Sequence, residues 1–309
     1  MNHRIGVDGG GTKTELILLD EAGTIVARHL APGCNPSQVG PEKARAILHE
    51  ALSALRGQAK IEKHKAEISA TLLCMAGNRG FWRETADALG GFGLITTTDD
   101  SLPVLELATG GGPGLVLHAG TGSFVAARAL DGTVHYAGGL GWKLGDPGSG
   151  YDLGRRAIAL AMLELKGGAA AQPSPLAAAL CAHTGLADYQ ANSRFFYGDP
   201  EANARIAAFA PHVITLAAAD CGPAQQVLAD SITELARQAD AVIHRLFPLS
   251  SAERRKAGIP LGVTGRILNS APAVFVLRSL ADKLNWSVEL RFIETAPIEG
   301  VRRLLLKNS

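Results

Sequence analysis

No apolar run in the chain approaches the ~20 residues of a membrane-spanning helix, which argues against a membrane protein. No sign of charge dominates: 30 Lys and Arg stand against 29 Asp and Glu. With no basic stripe to neutralise phosphates, nucleic acid is not an expected partner. Cysteine is scarce. Cys34, Cys74, Cys181 and Cys221 are widely scattered with no Cys-x-x-Cys, as suits reduced thiols of a cytoplasmic protein. The histidines show no ligand spacing, and His118 reads as a strand-end residue rather than a metal ligand. A Gly-x4-Gly-Lys-Ser/Thr loop is missing too. The first apolar run starts so near Met1 that no signal peptide is expected.

What is present is glycine, concentrated in a few places. The run Ile5-Gly-Val ends at Asp8, Gly9, Gly10 and Gly11 follow, and Thr12, Lys13 and Thr14 lead into a second apolar run. This predicts two strands joined by a bare turn that lets a ligand reach main-chain N–H groups. Thr12, Lys13 and Thr14 add side-chain donors. Asp8 at the strand end suits a hydrated Mg²⁺ beside phosphate, because Mg²⁺ keeps most of its waters and takes few carboxylates. The alternative is a plain glycine hairpin with a buried strand-end Asp.

The stretch repeats. Gly11-Thr12 recurs 109 positions on as Gly120-Thr121, Thr14 as Ser123, and Gly23-Thr24 as Gly132-Thr133. Each copy reads as strand, Gly-Thr turn, strand, tight hairpin, strand, so a whole lobe is duplicated. Two such lobes would clamp a polyphosphate between them. The run Gly110-Gly-Gly-Pro-Gly114 marks the boundary, giving an N-terminal lobe over 1–112 and a C-terminal lobe over 113–309. The final helix, opening at Pro297, has the option of packing back on the first lobe.

The two turns, Val7–Thr14 and Ala119–Ser123, resemble the phosphate motifs of the actin/hexokinase superfamily. With Gly138-Gly-Leu-Gly-Trp-Lys-Leu-Gly-Asp-Pro-Gly-Ser-Gly150, the chain resembles the BadF/BadG/BcrA/BcrD ATPase family on its N-acetylglucosamine kinase branch, from about residue 4 to about 305. The resemblance implies an α/β fold of two duplicated actin-like (ribonuclease H-like) lobes with mixed five-stranded sheets, the second enlarged by helices. It also implies ATP, Mg²⁺ and transfer of phosphate to the 6-hydroxyl of an amino sugar, in a homodimer.

Individual residues take their expected roles from both sources. Gly9, Gly10, Gly11, Thr12, Lys13, Thr14, Gly120, Thr121, Gly122 and Ser123 would cradle nucleotide phosphates. Asp99-Asp100-Ser101 closes a strand and opens a helix, so one acid can cap the helix while the other does chemistry. Matching the family pattern selects Asp100 as the base for the sugar hydroxyl, with Asp99 as its neighbour. Asn35 suits a sugar hydroxyl or acetamido group, although Asn before Pro is also a common turn former; the resemblance implies substrate binding.

Gly77 and Asn78 form a strand-to-helix turn that relatives use to line the sugar site. Asp146 would accept from sugar hydroxyls or cap a helix starting near Ser149, with Gly138, Gly139, Leu140 and Gly141 beside it. Leu140 stands where N-acetylglucosamine kinases often have Trp, and Pro147 where Glu is usual. Gly265 falls where the family packs adenosine, although Thr264 replaces a usual second glycine. The sugar would then be N-acetylglucosamine, with glucosamine or N-acetylmuramic acid as rivals. Two other classes stay open. An iron–sulfur reductase activator needs Cys thiolates in a glycine-rich loop, which Cys181 and Cys221 lack; a sugar or nucleotide sensor would not need the full donor and carboxylate set.

Overall fold

The computed structural model describes residues 2–58, 67–168, 173–198 and 202–307. The chain forms two compact units, residues 1–111 with 295–309, and residues 112–294. The charged stretch Arg56–Glu67 reads in the sequence as a surface connection and Pro200–Ala219 as a helical segment; most of the first and the start of the second lie outside the described residues.

The first unit runs β1 (Asn2–Gly9), β2 (Lys13–Leu19), β3 (Ile25–Pro32), α1 (Pro36–Val39), α2 (Pro41–Gln58), β4 (Glu67–Met75), α3 (Arg79–Ala88), β5 (Leu94–Asp99) and α4 (Ser101–Thr109). Its sheet has the order β3-β2-β1-β4-β5. β1 to β3 are antiparallel, whereas β4 and β5 join in parallel through helical crossovers. Central strands are buried on both faces, as their continuous apolar runs require. Ile5, Val7, Leu16, Leu18, Leu73 and Met75 face one core, and α2 lays Ala44, Leu48, Ala51, Leu52 and Leu55 on it at helical spacing. The Pro- and Gly-containing stretch Arg28–Pro36 reads in the sequence as a loop leaving the sheet, but its first part, Arg28–Pro32, continues β3. Its register with β2 runs to Lys13↔Pro32, and the missing N–H of Pro32 is tolerable on an edge strand.

The second unit opens with β6 (Gly114–Ala119), β7 (Ser123–Arg128) and β8 (Val134–Gly138). The helices α5 (Gly150–Lys166), α6 (Pro175–Thr184), α7 (Tyr189–Tyr197), α8 (Ala202–Ala207), α9 (Ala210–Ala218), α10 (Gly222–Leu246) and α11 (Ser251–Ala257) follow, then β9 (Pro260–Thr264), α12 (Ala271–Lys283) and β10 (Glu289–Ile293). The single helix expected up to Ala219 is broken into α8 and α9, with Pro211 in the first turn of the second piece, where proline belongs. The strand order is β10-β9-β6-β7-β8, which read from the β8 edge is the first unit's order with each strand replaced by its counterpart. Two turn hydrogen bonds repeat as well: Asp20 N–H to Thr24 O and Gly23 N–H to Asp20 O in one unit, Ala129 to Thr133 and Gly132 to Ala129 in the other. Both turns put glycine at positive φ, +79° at Gly23 and +86° at Gly132.

The last helix, α13 (Pro297–Lys307), belongs to the first unit. Ile298, Val301 and Leu305 pack with Ile17, Leu19, Leu72 and Cys74 on the sheet face opposite α2. Gly6 leaves the space that Val301 fills, since a Cβ there would lie 2.8 Å from the valine side chain. Arg302 donates to the Gly23 carbonyl at 3.0 Å, and Lys307 pairs with buried Glu106.

Candidate active site

In the first unit, the turn between β1 and β2 is closed by Gly10 N–H to Lys13 O at 2.9 Å. None of Gly9, Gly10 and Gly11 takes positive φ, so their requirement is room rather than unusual dihedrals. A Cβ on Gly9 would meet Met75, and one on Gly11 would lie 2.6 Å from Gln38 Oε1. The turn is braced from below by Gly33 and Cys34, whose N–H groups donate to Thr12 O and Gly10 O. Gly33 packs so closely on the turn that a Cβ would lie 2.0 Å from Gly11 O.

Thr12 and Lys13 are exposed at the tip, and the Lys13 ammonium meets Glu15 at 2.9 Å. Thr14 is placed otherwise. Its side chain is fully buried and its hydroxyl sits 2.8 Å from Pro32 O, so it holds the turn instead of facing an open surface.

The carboxyl ends of β1, β4 and β5 complete this cluster. Asp8 is opposite Glu15 on β2 and Cys74 on β4, and Cys74 is opposite Thr98 on β5. Burial pushes the Asp8 carboxyl up to about 7; Lys13 pulls it down and Glu15 up. Asp100 is also pushed up to about 7, by burial first, then by the charges of Asp99 and Asp8. Asp99 and Asp100 divide the work as a pair of acids permits. Asp99 accepts the Ser101 amide and the Arg79 guanidinium, while Asp100 at the helix start makes no side-chain cap bond.

Asn35 and Asn78 both cap helices. Asn35 Oδ1 accepts from Ser37 N–H and Asn78 Oδ1 from Phe81 N–H, each at 3.0 Å. Gly77, at φ +97°, is where these two loops meet: a Cβ would be 2.7 Å from Asn35 Oδ1. Asn78 and Ser37 line one open groove with Pro36, Gly80, Phe81 and Glu84. The caps occupy the amide oxygens and leave the chemistry of the two NH₂ groups to a ligand.

In the second unit the turn between β6 and β7 is one residue shorter. Gly9 is opposite Thr14 in the first unit, whereas Ala119 is opposite Ser123 here, and Gly120 N–H closes on Gly122 O at 2.9 Å. Thr121 is exposed. Ser123 is buried and donates to Pro147 O at 2.6 Å, the same employment as Thr14. The loop 138–149 folds onto this turn. Gly139 N–H donates to Ser123 O, Gly150 N–H to Gly120 O, and Gly138, Gly139 and Gly141 all take positive φ.

Asp146 does not cap α5; the Ser149 side chain does. The buried Asp146 accepts from Gly141 N–H at 3.0 Å, and its other oxygen lies against Gly122, 3.1 Å from where a Cβ would be. Burial raises its carboxyl above the usual range, against the pull of the Gly141 hydrogen bond. Gly148 N–H donates to Ser231, whose hydroxyl donates to Asp152, so α10 and α5 pin the loop. Leu140 stands 65% exposed. Gly265, at φ +93°, packs on the end of β6, where a Cβ would lie 2.0 Å from Ala119 O.

Sequence reasoning missed Arg79, whose signal was its place directly after the cap Asn78, and Gln38 and Gln238, which close on Gly11 and Gly138. Among the described residues, no group of three His, Cys, Asp or Glu could hold a metal alone. A buried carboxylate beside a donor-rich turn therefore fits a cation held largely by water and phosphate rather than by a protein cage.

A model of the BadF/BadG/BcrA/BcrD ATPase family matches residues 5–300. An N-acetyl-D-glucosamine kinase of Dictyostelium discoideum is 31% identical over 163 residues, 48% of this chain and 51% of that protein. An N-acetylmuramic acid/N-acetylglucosamine kinase of Clostridium acetobutylicum is 29% identical over 171 residues, 52% of this chain and 54% of that one. The match thus spans about half the length of each of these relatives. A Chromobacterium violaceum structure, proposed to be an N-acetylglucosamine kinase, is 26% identical over 98% of both chains with a TM-score of 0.69.

Proposed function

For a chain that belongs to the BadF/BadG/BcrA/BcrD ATPase family, we propose the activity of an ATP-dependent kinase of amino sugars, with N-acetylglucosamine as preferred acceptor. One observation carries this reading. Asp100 stands at the carboxyl end of β5, its carboxyl pushed up to about 7, while Asp99 takes over the local hydrogen bonding. A general base works best with a pKa near the working pH.

Asp100 orients the sugar 6-hydroxyl and takes its proton as that oxygen attacks the terminal phosphorus of ATP; the phosphate–ADP bond breaks and ADP leaves. The turn of each unit supplies donors to the phosphates, through Gly10–Lys13 and Gly120–Gly122. Asp8 would hold Mg²⁺ through water, and the ion would supply charge neutralisation on the phosphate oxygens. Phosphoryl transfer depends mainly on positioning and electrostatics, and this equipment provides both. Asn35, Gly77, Asn78, Asp146 and the Gly138–Gly141 main chain serve the sugar. Gly265 serves the nucleotide through its place on the end of β6.

The sugar assignment rests on the relatives' activities and on the amide and carboxylate donors and acceptors. Glucosamine is one rival. N-acetylmuramic acid is the other, because one relative acts on both N-acetylated sugars and the exposed Leu140 is an apolar wall that discriminates weakly. Measuring kcat/KM for glucose, glucosamine, N-acetylglucosamine and N-acetylmuramic acid tests it. A preference for glucose over every amino sugar sinks the substrate assignment; no transfer to any of them sinks the kinase.

A further inference from the structure

The shorter second turn changes which residues of the duplicated lobes correspond. At the 109-residue offset Asp8 falls on Leu117. In the sheets, however, Asp8 lies one residue before the pair Gly9↔Thr14, and His118 lies one residue before the pair Ala119↔Ser123. Asp8 is flanked by Glu15 and Cys74, His118 by Phe124 and Thr264. The position that carries a carboxylate beside the first turn carries an imidazole beside the second.

That imidazole is fixed on three sides. Its ring stacks on Phe124, centroids 4.9 Å apart and planes 19° from parallel. Nδ1 lies 2.9 Å from Thr264 Oγ1. Nε2 lies against Gly120, 3.2 Å from where a Cβ would be. The Thr264 side chain is buried, and its hydroxyl has no other hydrogen-bond acceptor among the described residues. Were Nδ1 the donor, the hydroxyl hydrogen would be buried without an acceptor, at a cost of about 1–3 kcal/mol. The hydroxyl therefore donates to Nδ1, which leaves the proton on Nε2 at the turn.

We infer that His118 is a nucleotide-binding residue, its Nε2–H donating to a phosphate oxygen at the Gly120–Ser123 turn in a tautomer set by Thr264. This rests on the kinase reading above and adds a contact to it. The surroundings of the ring hold its pKa down at about 4 through desolvation, so the donor stays neutral over the working range. Thr264, which fixes the tautomer, is part of the device.

The test measures binding of a non-hydrolysable ATP analogue by calorimetry, with N-acetylglucosamine binding measured in parallel. His118→Phe keeps a flat ring and removes the donor; analogue affinity should fall about tenfold, as expected for one hydrogen bond to a charged group. His118→Gln, which retains an N–H, should recover most of the loss. Sugar affinity should not change. Nitrogen-15 spectra of the wild-type imidazole should show the Nε2–H tautomer, and Thr264→Val should shift it toward a mixture. Wild-type affinity in His118→Phe, or an Nδ1–H tautomer in the unaltered protein, overturns the inference while leaving the kinase reading intact. No analogue binding by the wild-type protein overturns both.

Discussion

The Arg79 guanidinium lies 3.1 Å from Asp99 Oδ2, across the 20 residues that carry the chain from the start of α3 to the end of β5. With Ser101 N–H on its other oxygen, Asp99 is committed to structure, and its neighbour Asp100 is the acid available for proton transfer. Asp100→Asn should lower kcat by about 10²–10⁴-fold, the size of a missing general base, with ATP and sugar binding retained. Asp99→Asn should keep activity within about threefold, since a partly exposed ion pair is worth on the order of 1 kcal/mol or less. The reverse ranking in steady-state kinetics would move the base one residue.

The acid limb of the kcat/KM profile should follow Asp100. The carboxylate must be ionised to accept a proton, so activity rises with pH through about 7. The Asp99 charge helps hold that value up, and Asp99→Asn should therefore move the limb to lower pH. A limb that stays in place assigns it to another group.

Asp8 works against the fold that contains it. Its carboxyl is at about 7 in the folded protein against 3.8 as the ordinary value. Between those values the native state binds the extra proton, so stability is present at low pH and is lost as pH rises through the window. Asp8→Asn removes that loss. At pH 8 without ligands the variant should melt higher than the wild type, by roughly 2–5 °C, while Mg²⁺-dependent activity collapses. Calorimetric melting at pH 5 and pH 8 checks this, with the larger difference expected at pH 8, above the whole window, and a smaller one at pH 5, inside it.

Thr12 and Thr14 stand two residues apart and should fail differently. Thr12→Val should weaken ATP binding about tenfold with little change in melting temperature. Thr14→Val leaves the Pro32 carbonyl without its partner and should cost about 1–3 kcal/mol of stability. Equal thermal shifts for both would contradict the division between an exposed tip and a buried brace.

Much of this was legible in the sequence for identifiable reasons. Gly23-Thr24 and Gly132-Thr133 survive the duplication because the same positive-φ turn needs them, and they betray the repeat. The continuous apolar runs announce the central strands. A gapless 109-residue shift, however, cannot see the residue missing from the second turn, so it hides the correspondence of Asp8 with His118. Nor does a Thr or Ser beside a glycine turn declare whether it points at ligand or core; Thr14 and Ser123 point inward, each onto a proline carbonyl. Gly265 is demanded by the Ala119 backbone, a contact between segments far apart in the chain. The family pattern already points to Asp100 over Asp99; what the sequence does not show is the reason Asp99 is held to structure, because Arg79 reaches it from α3.

The packing of α13 on β1 and β2 has a consequence for how the protein is made. A ribosome releases residues 1–111 first, yet the face of their sheet bearing Ile17, Leu19, Leu72 and Cys74 stays uncovered until Ile298, Val301 and Leu305 emerge. The whole second unit is synthesised in the interval and has all its strands in hand before the first is complete. The order of maturation is thereby the reverse of the order of translation, and the waiting sheet is where a nascent-chain chaperone would be needed. A stop codon ahead of residue 297 would then leave the unit that carries Asp8 and Asp100 permanently open on one side.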